Sequence, residues 1–257
     1  MRRIAIWFLA GISSAAVSTL IFFPATWIDT MVEKKTAGRL TLGDAQGTLW
    51  RGSAFIGGAA SDSDAVTPLI QGRFSWRLSP MVLLGSVDIE LENTAALSHP
   101  VSVTGSWNQW HISPSAVILT MERLAALGAP LNTVKPSGQM RLSWGLLQLG
   151  QHNRTIELFG PMNLEMNDIA SRLSPIKPLG SYNLSFDWLG RQAAVELKTN
   201  KGPMLLSGKG VIANGRFQFY GRAEAETGQE EKLANLIHLL GQRRREGDKN
   251  FIALEFK

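Results

Sequence analysis

From about Leu40 to Glu224 apolar and polar residues alternate at a period of two, and no other feature constrains the fold of this chain as much. Val87-Asp-Ile-Glu-Leu-Glu92 and Gly72-Arg-Phe-Ser-Trp-Arg-Leu-Ser79 show the pattern most plainly. It returns in residues 101–104, 139–144, 155–159, 163–166, 182–188, 194–198 and 216–220. Successive side chains of an extended strand point to opposite faces, so this period builds a sheet with one apolar and one solvated face. Gly57-Gly58 and Asn214-Gly215 punctuate the runs, and Asn-Gly between two strands is a hairpin signal. The prediction is a mainly β chain (β-rich α+β) with an antiparallel sheet.

Two segments read as helices. In residues 114–127, Ser113 is placed as N-cap, Pro114 in the first turn and Gly128 as the stop. Residues 229–240 put Leu233, Leu236, Ile237 and Leu240 on one stripe. Gly72, Gly138 and Gly180 each precede a similar strand, which suggests a repeat over 40–110 and 136–225 with the first helix between its halves. Two short helices are little cover for so long an apolar face. The sheet either curls on itself as a barrel or sandwich, or leaves part of that face open to lipid or a partner.

The N-terminus carries a different signal. Arg2-Arg3 precedes twenty uncharged residues, Ile4 to Phe23. As a helix such a run is about 30 Å long, the thickness of a bilayer core. With Arg2 and Arg3 before it and the first later lysines at Lys34-Lys35, the positive-inside rule orients the chain. Residues 1–3 form a cytoplasmic tip, 4–27 an anchor helix with Trp27 in the interfacial belt, and 28–257 a periplasmic domain. Helix is expected to continue outward through residues 25–32. A cleaved signal peptide is the competing reading, but its apolar stretch is shorter and ends in a small-x-small site, where this chain has Phe22-Phe23-Pro24. Gly11, Ser13, Ser14, Ala15 and Ala16 could pack against another membrane helix.

Composition excludes much chemistry. The 257 residues contain no cysteine, which rules out disulfides, thiolate metal sites and cysteine nucleophiles. His99, His111, His152 and His238 are too far apart in sequence for a local metal motif. Asp62/Asp64 and Glu224/Glu226 read as solvated. Gly208-Lys-Gly-Val-Ile-Ala213 matches a dinucleotide fingerprint, but that motif needs a helix next, and Asn214-Gly215 with another strand follows. These glycines are assigned to a β-turn region. With 26 basic and 21 acidic residues there is no surplus for a nucleic-acid partner. Arg243-Arg244-Arg245 reads as cations suiting the end of the last helix, or as a contact for anionic lipid or an acidic partner. The expectation is a non-enzymatic protein without cofactor or metal.

Four stretches, in order, carry a resemblance. Ala45-Gln-Gly-Thr-Leu-Trp-Arg-Gly52, Leu127-Gly-Ala-Pro-Leu-Asn-Thr-Val-Lys-Pro-Ser-Gly138, Pro178-Leu-Gly-Ser-Tyr182 and Gly202-Pro-Met-Leu-Leu-Ser-Gly-Lys-Gly210 resemble the type II secretion system protein N family. The positions concerned are Gln46, Gly47, Leu49, Trp50, Gly52, Pro130, Leu131, Gly180, Gly202, Pro203, Gly208 and Gly210. The resemblance implies an accessory inner-membrane component of the machine that exports folded periplasmic proteins, with other secretion subunits as partners and no catalytic residues. It also implies a curved sheet related to AsmA-like groove proteins, whose apolar concave face can hold phospholipid acyl chains. From the residues themselves, 46–52 is either a turn that uses glycine at positive φ while Trp50 fills the core, or a docking loop. Eight tryptophans against two tyrosines favour apolar filling.

Overall fold

The computed structural model describes residues 2–36, 40–58, 67–124, 136–152, 155–240, 242–246 and 249–256. Within them seventeen strands form one antiparallel sheet. The first half supplies β1 (Leu40–Gly47), β2 (Arg51–Gly58), β3 (Thr67–Pro68), β4 (Phe74–Leu78), β5 (Ser86–Glu92), β6 (Val101–Ser106), β7 (Gln109–Ile112) and β8 (Ser115–Thr120). The second supplies β9 (Pro136–Trp144), β10 (Leu147–His152), β11 (Thr155–Ser171), β12 (Gly180–Gly190), β13 (Gln192–Lys201), β14 (Met204–Ala213), β15 (Arg216–Ala225), β16 (Gln242–Glu246) and β17 (Lys249–Phe256).

Nearly every strand pairs with its neighbour in sequence. β7 and β8 continue one another in a single register against β10 and β9, with Ile112 opposite Leu147 and Ser115 opposite Trp144. Both β9 and β10 border the long β11. Only the end of the chain departs from the meander, because β17 pairs with β15 and β16 lies outside it. Among the described residues β1 and β16 are not paired with each other, so the sheet is open and does not close as a barrel.

Register converts the alternation into two chemically distinct faces. One row crosses eight strands as Val117, Leu142, Leu164, Leu184, Leu197, Gly208, Gly221 and Leu254, each opposite the next. The adjacent row, on the other face, reads Ala116, Ser143, Asn163, Ser185, Glu196, Lys209, Tyr220 and Glu255. A one-residue slip in any strand would exchange these sets, so the apolar face holds the register.

Helix α1 (Arg2–Ile21) covers most of the uncharged run, and α2 (Thr26–Thr36) packs on β1. The expected continuation of the anchor helix is therefore a separate helix. Pro24 has no N–H to donate and instead forms a bridge with Thr48, so the chain turns there. Among the described residues, which leave out the side chains of 2–6, 8–10 and 16, no helix is long and apolar enough to cross a membrane.

The helix expected over residues 114–127 is a correction. Residues 115–120 are strand β8, and among the described residues of that stretch α3 (Met121–Leu124) is the helical part; 125–127 lie outside the described residues. Ser115, Val117 and Leu119 face the apolar partners Trp144, Leu142 and Met140, and that burial overrides a helix-compatible local pattern. Ser113 caps no helix; its Oγ accepts from Ser102 N at 2.9 Å. Residues 230–240 do form the expected helix, α4 (Glu230–Leu240), which covers one end of the apolar face. Leu233, Leu236 and Ile237 pack there against Met204, Phe219, Ala223, Ile252 and Leu254. Arg243–Arg245 come after the end of α4, as expected, but lie on strand β16.

Candidate docking site at the junction of helix and sheet

The turn between β1 and β2 ties the N-terminal helices to the sheet. Thr48 N donates to Arg51 O at 2.8 Å, closing the turn. Gly47 adopts φ +89°, and a Cβ there would lie 2.4 Å from Arg51 O, so only glycine fits. Three hydrogen bonds then reach the chain leaving α1. Leu49 N donates to Phe23 O at 2.8 Å, Ala25 N to Gly47 O at 3.1 Å, and Trp50 Nε1 to Leu20 O at 2.8 Å. The last carbonyls of a helix have no partner within it, and the Trp50 indole supplies one to Leu20 O.

Neither sequence reading of Trp50 describes its position fully. The turn with glycine at positive φ is present, but Trp50 does not fill the core; its indole, only part-buried, caps the end of α1. The tryptophan that packs inward at this turn is Trp76. A Cβ on Gly52 would lie 2.4 Å from Trp76 Cζ2, and Trp76 Nε1 donates to Leu49 O at 3.1 Å. Asp29 on α2 adds a further tie, its Oδ1 accepting from Leu42 N at 2.8 Å. Beside the turn, Asp44 sits at φ +51° in an irregularity of β1. Its carboxylate takes Arg73 as an ion pair and Gln46 Nε2 at 3.0 Å. Arg73 also stacks 4.6 Å from the Phe55 ring centroid. Asp29, Arg73 and Trp76 had no signal in the sequence, since each acts across a separation that only the pairing of strands closes.

The remaining motif positions serve the core. Gly202, at φ +115°, lies so close to Gly180 that a Cβ on it would fall 2.3 Å from the Gly180 Cα. Pro203 O accepts from Glu226 N at 2.8 Å, which leads the chain towards α4. Tyr182 is buried, its hydroxyl donates to Met204 O at 3.0 Å, and burial pushes its phenol well above the ordinary tyrosine range. Gly208 and Gly210 lie within strand β14 and not in a turn, which corrects the β-turn assignment. Cβ atoms on them would lie 2.5 and 2.9 Å from the Phe219 ring, so the absent side chains make room for that aromatic to lie on the sheet. The Asn214-Gly215 turn is where the hairpin signal puts it, with φ of +53° and +78°. Pro130 and Leu131 fall outside the described residues. The named motif positions are thus not one site: 46–52 make the junction, and 180–210 make the far core.

The two faces offer different chemistry. On the polar face an open trough of about 790 Å³ is lined by Ser143, Asn163, Ser185, Glu196 and Lys209. The Glu196 carboxyl is held below its ordinary range by the hydrogen bond from Lys198 Nζ at 2.8 Å, with Lys209 Nζ at 3.8 Å assisting. Among the described residues no group of three His, Cys, Asp or Glu is placed to hold a metal. On the apolar face Leu142, Leu164, Leu184 and Leu197 are only half-buried; Leu197 packs at the edge of the cluster that α4 covers, and the other three are not part of it.

Comparison with known proteins adds one assignment. No curated protein and no solved structure gives a significant match. The family model for type II secretion system (T2SS), protein N, matches residues 38–250, a span that runs from the start of β1 to the start of β17 and includes the junction turn and the glycine-lined core. The chain belongs to the type II secretion system protein N family.

Proposed function

We propose that this chain is a non-enzymatic inner-membrane subunit of the type II secretion system, anchored by α1 with its sheet in the periplasm and acting through contacts with other secretion subunits. Family membership supports the place in secretion. The junction is the observation that carries the rest. Every described side chain from Gly11 to Phe22 is exposed, so α1 leaves the sheet and does not lie on it. Trp7, Ile12, Ile21 and Phe22 are 78, 64, 53 and 72% exposed. A helix of this length, uncharged after Arg3 and exposed along its described side chains, is accommodated by a bilayer. The three hydrogen bonds of the junction would hold the sheet at a set position above that bilayer. Co-purification of the full chain from solubilised membranes is the test, and other subunits of the apparatus are expected with it.

A second reading rests on the half-buried apolar face. A strip of Leu, Val and Met side chains that continues from strand to strand suits acyl chains, with the polar face turned to water. Native mass spectrometry of the full chain released from detergent is expected to show bound phospholipid that survives delipidating washes. A spectrum with the bare protein mass alone would end this reading.

A further inference from the structure

We propose that the rim of hairpin turns at the α1 end of the sheet seats on the surface of the same bilayer that α1 enters, giving the protein a second, broad membrane contact. This rests on the anchor reading above. Register defines the rim. Starting from the 48–50 turn, the pairs Arg51–Arg77, Ser86–Ser106, Gly150–Gln109, Leu158–Gly190, Gln192–Ala213 and Phe219–Phe256 carry one end of the sheet across its width. The 3-10 helix Pro80–Leu84 and the turns at 107–108, 190–191 and 214–215 therefore all lie at the end where α1 joins.

That end carries a series of exposed large apolar side chains, interrupted in its middle by the exposed polar residues Asn108, Gln151 and His152 and the half-buried Glu157. Leu84 is 81% exposed, Leu189 76%, Trp27 62%, Trp107 58%, Phe256 50% and Phe217 41%. The exposure is built in. Ser79 and Gly85 cap the 3-10 helix at its two ends, and Trp107 Nε1 donates to Val82 O at 2.6 Å, which satisfies the indole and leaves its ring apolar. Arg191 and Arg216 stand exposed in neighbouring turns of the same rim. Tryptophan, leucine and arginine together are the side chains of a lipid interface, where rings sit at headgroup level and cations meet phosphate.

The opposite end differs. Its turns carry His99, Lys201 and Glu226, with Glu230 and Glu231 opening α4, and its exposed large apolar side chains are Ile118, Leu173 and Leu205 among the described residues, with no tryptophan. A headgroup layer is the occupant that fits, because the apolar residues are strung along the full width of the sheet in single turns. A planar surface already reached through α1 touches all of them at once.

The absence of cysteine makes the test direct. Single-cysteine full-length variants Leu84→Cys, Leu189→Cys, Ile12→Cys and Thr227→Cys are labelled with an environment-sensitive fluorophore and reconstituted in phosphatidylcholine–phosphatidylglycerol vesicles. Lipids spin-labelled near the headgroup are expected to quench positions 84 and 189, with blue-shifted emission, and to leave 227 unchanged. Quenching at 12 by lipids spin-labelled in the acyl chain, without quenching at 84 and 189, would overturn the rim contact while keeping the anchor. Quenching at 84 and 189 alone would keep the rim contact and remove the anchor. Equal quenching at 227, or none anywhere, would overturn the proposal. Charge reversal by Arg191→Glu with Arg216→Glu is expected to reduce quenching at 189 in the anionic vesicles and not in pure phosphatidylcholine. An unchanged signal would remove the role given to those arginines.

Discussion

Replacing Leu233 with alanine is expected to lower the melting temperature of the full chain in detergent by about 10 °C, the shift that a loss of 2–5 kcal/mol gives in a domain of this size. Among the described residues Leu233 is the largest side chain that is wholly buried, and it sits in the contact between α4 and the sheet. Its neighbours Ala223, Ile252 and Leu254 belong to strands β15 and β17, whose backbone pairing leaves them little freedom to close over a cavity. The cavity would therefore persist, which places the cost towards the upper part of that range. Glu231→Ala, on the exposed side of the same helix, is the control and is expected to stay within about 0.5 kcal/mol of the parent. Tryptophan fluorescence during heating reads both. A Leu233→Ala protein melting with the parent would mean that α4 contributes little to the fold.

Gly202→Val is the second large effect. Two penalties coincide at this glycine: a backbone at φ +115°, which a β-branched residue rarely adopts, and a Cβ that would fall 2.3 Å from the Gly180 Cα. Strain and overpacking each cost about 1–3 kcal/mol, so a total of about 2–6 kcal/mol is expected. Gly215 separates the two causes. It has φ +78° but nothing within 4 Å of an added Cβ, so Gly215→Ala incurs the backbone penalty alone. Urea unfolding of the two variants should rank Gly202→Val well below Gly215→Ala. Equal midpoints would show that the close approach of residues 202 and 180 does not matter to stability.

The part of this molecule that follows from nearest neighbours in sequence was legible. Alternation in segments such as 87–92 and 182–188 is a local signal, and the apolar face it implies is the face on which the strands stack their leucines. Asn214-Gly215 and the stripe of α4 are local in the same sense. What failed were segments compatible with two periods. Residues 114–127 satisfy a helix start, yet β9 offers Ser115, Val117 and Leu119 an apolar partner each, and pairing won. Gly208 and Gly210 resemble turn glycines until Phe219, on the next strand, is seen to occupy the space they leave. The junction was legible only in outline. Gly47 announces a tight turn, but the carbonyl that Trp50 reaches belongs to a residue thirty positions earlier, and no local rule pairs them. The apolar rim was invisible for the same reason, since Leu84, Trp107 and Leu189 meet at one end of the sheet only once the registers are known.

The proposed function joins the family and the junction in one arrangement: α1 in the membrane, locked to an open sheet that offers surfaces to a secretion apparatus. Purifying the tagged full chain from gently solubilised inner membranes, and identifying what accompanies it through stringent washes, tests this most directly. Other type II secretion subunits are expected in the parent sample. They are expected to be depleted for Gly52→Val, whose added Cβ collides with the Trp76 ring and displaces the turn that holds α1. Repeated recovery of the protein alone from membranes that contain the assembled apparatus would contradict it.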